Sequence, residues 1–419
     1  MTSRKRTQHY DVVVVGAGII GASFALRLAQ QSELTVAVID RGSISLMPSV
    51  PNLRATALGL QAQRLLDDCG VWPQLAATQC CGYSAMTVWD ENSDGMLQFS
   101  AADTGAIQLG YIVDHFALQS LLQQELSKQT NVTSFYQHEL QGVTLAGARS
   151  DTATQLQITS VLNSDLNPES ASDKGRDIAL TAGLVVAADG VQSVARQLAG
   201  IETRSMDYQQ TGIVAVIRTQ KSHENTAWQR FLSSGPLALL PLSNGDCSIV
   251  WSADNDLADE LMALSDEAFS ARLQAALQGR LGGVELCSQR RIFPLASHRA
   301  RRYLQDNLVL VGDAAHGIHP LAGQGANLGF ADIVLLLEQL IGDLDKFNQR
   351  GFSPLVLRRY ERQRKLDNYA MDAAMTALYK SFRQTSSPLL SAVRGIGMNS
   401  INQSNQLKRV FAGKAIGLS

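Results

Sequence analysis

Long apolar runs are missing from this chain. Nowhere do the ~20 consecutive apolar residues of a membrane-spanning helix occur, so no helical span is expected. Excess charge is missing as well: a formal net charge of −2 over 419 residues leaves no general electrostatic reason to bind nucleic acid. Cysteine is sparse, and Cys69, Cys80, Cys81, Cys247 and Cys287 make neither a CxxC pair nor a metal-ligand spacing. That excludes a disulfide framework and a zinc site, and fits reduced thiols in a cytoplasmic setting. An export signal is also expected to be absent. Arg4-Lys5-Arg6 precedes apolar residues, but that apolar run carries Asp11 and turns directly into a glycine motif, so the sequon Asn131-Val132-Thr133 has no secretory context. At 45% hydrophobic residues, the chain can bury a large core and make two lobes plus an appendage.

What is present is a set of apolar runs that each end in glycine or an acid. Asp11-Val12-Val13-Val14-Val15 reads as a buried strand, followed by Gly16-Ala17-Gly18-Ile19-Ile20-Gly21 and an amphipathic helix carrying Phe24, Leu26, Leu28 and Ala29. A second strand, Thr35 to Ile39, ends in Asp40, near the spacing at which a dinucleotide fold grips a ribose. In that arrangement Gly16 makes the turn, Gly18 lets a pyrophosphate touch the backbone, and Gly21 lets helix and strand pack closely. Leu184 to Ala187 repeats the pattern, ending in Asp189-Gly190 with Ser193 and Arg196 beyond. Leu308 to Val311 repeats it again, ending in Gly312-Asp313-Ala314-Ala315-His316-Gly317-Ile318-His319-Pro320 and running on to Gly323-Gln324-Gly325-Ala326-Asn327-Leu328-Gly329. Asp313 can accept a hydrogen bond from a sugar hydroxyl, and the helix starting near Gly323 offers free N–H groups to partial negative charge. The three acids, Asp40, Asp189 and Asp313, are expected to converge on one ligand. His316 and His319 lack a third ligand of recognisable spacing, so no metal site is expected.

The order GxGxxG, Arg54 within Leu53-Arg54-Ala55-Thr56-Ala57-Leu58, Asp189-Gly190 and Gly312-Asp313 resembles the FAD-dependent class A aromatic hydroxylases, the group typified by para-hydroxybenzoate hydroxylase. Within that group, Gly110-Tyr111-Ile112-Val113, His316 to Gly329, Tyr360-Glu361-Arg362-Gln363-Arg364-Lys365 and Ala415-Ile416-Gly417-Leu418 are similar to the ubiquinone-biosynthesis hydroxylases, which oxidise a polyprenylated phenol ring. The resemblance implies an α/β fold with a Rossmann-like FAD-binding domain, interrupted by an antiparallel sheet domain for substrate and followed by a C-terminal helical region. It implies FAD, with NAD(P)H and O2 as co-substrates, and ring hydroxylation through a flavin C4a-hydroperoxide. It places Gly16, Gly18, Gly21, Asp40, Arg41, Arg54, Gln119, Asp189, Gly312, Asp313, Gly323, Gly325, Ala326 and Asn327 on the cofactor, and the Pro320 carbonyl with His316 on the loop beside the substrate ring. His115 stands where the ubiquinone enzymes commonly carry asparagine, Ala188 replaces a usual glycine, and Ala326 stands where a larger residue is common. No second GxGxxG marks a nicotinamide domain, which suits a flavin that swings out to meet NAD(P)H. The same fold hosts other chemistry, so an FAD oxidase or dehydrogenase, or a flavin-binding subunit of a membrane-associated assembly, stays open.

Because the cofactor motifs lie far apart in sequence, the FAD domain is expected to be discontinuous: 1–78, 104–200 and 298–345. The insertions 79–103 and 201–297 would pair as one antiparallel sheet over the flavin, with hairpin signals at Asn92 to Gly95 and Asn244-Gly245. Leu162 to Asp177 is polar and reads as an exposed loop. The region 346–419 is expected to be helical. After Asp372 it has no acid, while Lys380, Arg383, Arg394, Lys408, Arg409 and Lys414 stand among apolar Leu389, Leu390, Val393, Ile396, Val410, Phe411 and Ile416. A basic amphipathic tail suits an anionic inner-membrane surface, where a polyprenyl substrate and other ubiquinone-biosynthesis proteins would be met.

Overall fold

The structure is a computed structural model; it describes residues 7–47, 54–146, 153–160, 177–318, 323–347, 351–383, 388–404, 406 and 408–409. Its first sheet is built on five parallel strands in the spatial order Leu308–Leu310, Ile178–Ala187, Thr7–Val15, Val36–Asp40, Val132–Tyr136. These strands carry near-continuous apolar sequence because helices cover them; Val12, Val13, Val14, Leu184, Val185 and Val186 are fully buried. The antiparallel strands His138–Thr144 and Thr154–Ser160 extend it as a meander leading into Ile178–Ala187. The polar loop expected from Leu162 lies outside the described residues up to Asp177.

Parallel pairing puts the carboxyl ends of four neighbouring strands along one edge, so Gly16, Asp40, Asp189 and Asp313 emerge together there. Helices Ile19–Gln31, His115–Ser127 and Gln324–Ile341 pack on one another beside that edge. A small sheet of Ala55–Leu58, Gly110–Asp114 and Cys80–Tyr83 stands next to them.

The second large sheet runs in the order His316–Gly317, Arg291–Ala300, Thr203–Thr219, Cys247–Asp254, Gly235–Pro241, Thr226–Leu232, Ala85–Asp90, Met96–Ser100. Both insertions contribute to it, but the seam between them is parallel: Thr226–Leu232 runs alongside Ala85–Asp90 in the same direction. This departs from the expected uniform antiparallel sheet. Hairpins enforce antiparallel pairing only between strands adjacent in sequence, and these two are joined through the rest of the molecule. Helices Asn255–Ala263 and Asp266–Ala276, which the sequence reading did not anticipate, bury Leu261, Phe269 and Leu273 against Ile213, Ala215, Ile217 and Trp251.

The C-terminal region is helical, with Pro354–Arg383 and Pro388–Gln403. Phe382 stacks on Phe231 of the second sheet at 3.8 Å between ring centroids. The second helix lies along the edge strand Met96–Ser100, whose free N–H groups at Met96 and Gln98 donate to Asn399 Oδ1 (3.1 Å) and Asn402 Oδ1 (3.0 Å). There the backbones approach so closely that a β-carbon on Gly95 would sit 2.9 Å from Gly395 Cα.

Candidate active site

The first wall of the site is the strand–turn–helix at Val15 to Ile20. Gly16 adopts φ +103°, and a β-carbon there would lie 2.4 Å from Ala188 O; one on Gly21 would lie 2.0 Å from Gly16 O. Both positions therefore need glycine for the protein's own packing. Gly18 is different, since a β-carbon there would meet nothing within 4 Å, which leaves its backbone open to a ligand. Asp40 secures the turn: Oδ2 accepts from Ala17 N at 2.6 Å and Oδ1 from Gly42 N at 2.7 Å. Arg41 follows on the exposed surface.

The second wall is the turn after Leu308–Leu310. Gly312 sits at φ +57°, and its N–H donates to Asp332 Oδ2 at 2.9 Å. Asp313 is exposed, while its carbonyl accepts from Nε2 of the buried His298 ring at 2.6 Å. Burial lowers the Arg54 pKa, an effect that the facing Asp313 carboxylate opposes. The Arg54 carbonyl accepts from His115 N at 3.0 Å, and His115 Nδ1 lies 3.0 Å from Thr56 Oγ1. Burial, then the Arg54 charge, pushes the His115 pKa down to about 3, so the ring is neutral at ordinary pH.

Asp189 closes the third side. Its Oδ2 accepts from Ala195 N at 3.0 Å, burial raises its pKa, and its other oxygen is buried without a partner. Arg196, itself buried, donates to Ala314 O and Val191 O at 2.8 Å each and so ties the Asp189-Gly190 segment to the Asp313 turn.

Several of the expected residues also hold the protein's own structure together. Asn327 commits its side chain to the small sheet, accepting from Gly59 N at 2.7 Å and donating to Ala57 O at 3.1 Å. Ala326 packs half-buried against the core. Gly323 (φ +63°) opens the helix Gln324–Ile341, and a β-carbon on Gly325 would meet nothing within 4 Å among the described residues. Gln119 is half-buried on its helix; one turn later, Gln123 is the residue that grips the glycine turn, donating to Ala17 O at 2.8 Å and accepting from Ser45 N at 2.7 Å. Nothing in the sequence distinguishes these two glutamines. His316 is buried behind the turn with Nε2 on Asp332 Oδ2 at 2.6 Å. His319 and Pro320 lie outside the described residues.

The open backbone at Gly18, a helix N-terminus beside it, a second helix start at Gly325, and acids at three of four neighbouring strand ends fit FAD. These features define a dinucleotide-binding flavoprotein scaffold with a second sheet over the cofactor edge. The FAD binding domain family model matches residues 9–367. The chain is 33% identical over 97% of its length to a ubiquinone hydroxylase of Rhodospirillum rubrum, covering 89% of that protein. It is 31% identical over 98% of its length to the 3-demethoxyubiquinol 3-hydroxylase of Escherichia coli, covering 99%. In three dimensions it resembles p-nitrophenol 4-monooxygenase of Pseudomonas putida, with TM-score 0.76 and 18% identity, over 98% of this chain and 99% of that one. The chain belongs to the FAD binding domain family, within its ubiquinone-biosynthesis hydroxylase branch, and is an FAD-dependent monooxygenase.

Proposed function

We propose that this enzyme hydroxylates the aromatic ring of a polyprenylated phenol or quinol on the way to ubiquinone. The observation that carries the reading is near-full-length similarity to two ubiquinone hydroxylases, together with the Asp313 turn and the two-part second sheet. Reduced FAD, when bound, supplies the activation of O2 that a phenol ring cannot achieve by itself. The chain's part is to bind, orient and dry: the open Gly18 backbone for the pyrophosphate, in a turn whose close packing needs Gly16 and Gly21, Asp40 for the ribose, Arg54 and Asp313 for phosphate and sugar, and the Gly323 to Asn327 helix start for the flavin ring. The Pro320 carbonyl belongs to the substrate loop in this proposal. The second sheet, with Gly212, Val214 and Val216 on the face opposite its helices, would exclude water from the reacting ring.

The domain assignment is part of the same proposal: 1–83, 104–200 and 298–345 for cofactor, 84–103 and 201–297 for substrate, and 346–419 as the appendage. The first boundary moves past Tyr83 because Cys80–Tyr83 pairs with Gly110–Asp114 on the cofactor side. The decisive experiment is NAD(P)H oxidation by purified, yellow enzyme with and without a short prenylphenol. Substrate should accelerate flavin reduction, and labelled O2 should appear in the product; an unchanged rate with every prenylphenol, or turnover without oxygen incorporation, would favour an oxidase or dehydrogenase.

Membrane contact also belongs here. Among the described residues no helix is long and apolar enough to cross a bilayer. The basic tail is less available than its composition implies: Arg394 pairs with the buried Asp90 at 2.8 Å, and Arg383 pairs with Asp254 at 3.0 Å. Lys380 and Arg409 are exposed, Val393 and Ile396 are 58% and 66% exposed, and Lys414 lies outside the described residues. We therefore assign lipid attraction to Lys380, Lys408, Arg409 and Lys414, at about 1 kcal/mol per charge that reaches an anionic surface. Changing Lys408, Arg409 and Lys414 to Glu should weaken co-sedimentation with anionic liposomes, whereas Arg394→Glu should instead lower the melting temperature. Sedimentation insensitive to lipid charge would refute the membrane assignment.

A further inference from the structure

The segment Tyr360 to Lys365 has no part in the proposed cofactor contacts, yet it lies in helix Pro354–Arg383 directly behind the cofactor turn. Tyr360, fully buried, donates from its hydroxyl to Leu310 O at 2.8 Å, in the strand that leads into the turn. Glu361 accepts from Tyr303 N at 2.8 Å. Arg364 reaches deepest: its Nε donates to Asp332 Oδ1 at 2.7 Å and its Nη2 to Asn368 Oδ1 at 2.8 Å. Asp332 is completely buried, and its second oxygen takes both Gly312 N and His316 Nε2.

One carboxylate thus holds both ends of the stretch from Gly312 to His316, the stretch on which Asp313 is displayed. Burial acts to raise the pKa of Asp332, but His316 and Arg364 together hold it below the usual carboxylate range, so it accepts all these bonds as an anion. The nitrogen of His316 facing it must then carry the proton. Removing either charge would leave the other buried and uncompensated, which makes the pair sensitive to single changes and tolerant of a neutral replacement of both.

We propose that Asp332 is the positioning residue of the cofactor turn, and that Arg364 of the C-terminal helix acts through it to set the affinity and potential of the bound flavin. The inference rests on the FAD-binding reading. It adds that the C-terminal helix is coupled to the cofactor through this one carboxylate.

The test titrates FAD into the FAD-stripped full chain and measures the flavin midpoint potential and the unfolding temperature of the stripped protein. Asp332→Asn and Arg364→Met should each weaken FAD binding roughly tenfold or more, and the double variant Asp332→Asn/Arg364→Met should recover part of that loss. Arg364→Lys should not restore wild-type affinity, because a single ammonium cannot satisfy Asp332 and Asn368 in the fork geometry. Asp367→Asn is the control: Asp367 is 51% exposed and also pairs with Arg364, at 3.1 Å, and its loss should leave binding unchanged. If Asp332→Asn does not fold, Arg364→Lys carries the test through weaker FAD binding and a shifted potential at unaltered unfolding temperature. Wild-type affinity and potential in Arg364→Lys, or an equal loss in Asp367→Asn, would overturn the proposal. Failure of the wild-type chain to bind FAD would overturn the functional reading beneath it instead.

Discussion

Asp313→Ala should strip the enzyme of its cofactor while leaving it folded. The Asp313 side chain is exposed on its turn, and the backbone there is held by groups the substitution does not touch: His298 at the Asp313 carbonyl, Arg196 at the Ala314 carbonyl, and Asp332 at Gly312 N. A charged hydrogen bond to a sugar hydroxyl is worth about 1.5–3 kcal/mol, which corresponds to FAD binding weakened by roughly ten- to a hundredfold. At limiting cofactor the variant should be colourless, with the far-UV circular dichroism and stripped-protein melting temperature of the wild type. Full FAD occupancy under those conditions would show that Asp313 does not contact the cofactor.

The largest loss of stability should come from Gly21→Val. A β-carbon at this position lies 2.0 Å from Gly16 O and 3.0 Å from the Ala188 side chain; the first is backbone and cannot swing away, so the first helix must lift off the sheet. Overpacking at such a junction costs about 3 kcal/mol or more, and thermal unfolding of the stripped protein should report it. Gly18→Val makes the contrast. With nothing among the described residues within 4 Å of the new β-carbon, it should melt like the wild type but bind FAD poorly. If both variants melted alike, the division between a packing glycine and a ligand glycine would be wrong.

The cofactor edge was legible because each piece is local: an apolar run, then glycine or an acid, repeated at Val15, Ile39, Ala187 and Val311. The order in which those strands stand was not legible, since it depends on pairings between residues far apart in the chain, such as Val185 with Leu308 and Val13 with Val185. Asp332 carries no local signal at all. It is one of two acids in a mainly apolar helix, and the groups that justify it, Gly312, His316 and Arg364, come from two other segments. The basic tail misled for the same reason. Arg383 and Arg394 look unopposed because their carboxylates, Asp254 and Asp90, stand far upstream. Asn327 reads in the sequence as part of a helix start, but its bonds to Gly59 and Ala57 carry no local signal.

The asparagines of helix Pro388–Gln403 stand in for a missing neighbour along Met96–Ser100. With Asn399 and Asn402 occupied there, the outermost strand of the second sheet presents no free ladder to another chain. Shortening the protein from its C-terminus would therefore uncover an adhesive edge as well as removing basic charge. A truncated enzyme that pellets with vesicles should pellet equally well without them, and point substitutions on the outer face of the helix are the cleaner instrument for separating lipid binding from self-association.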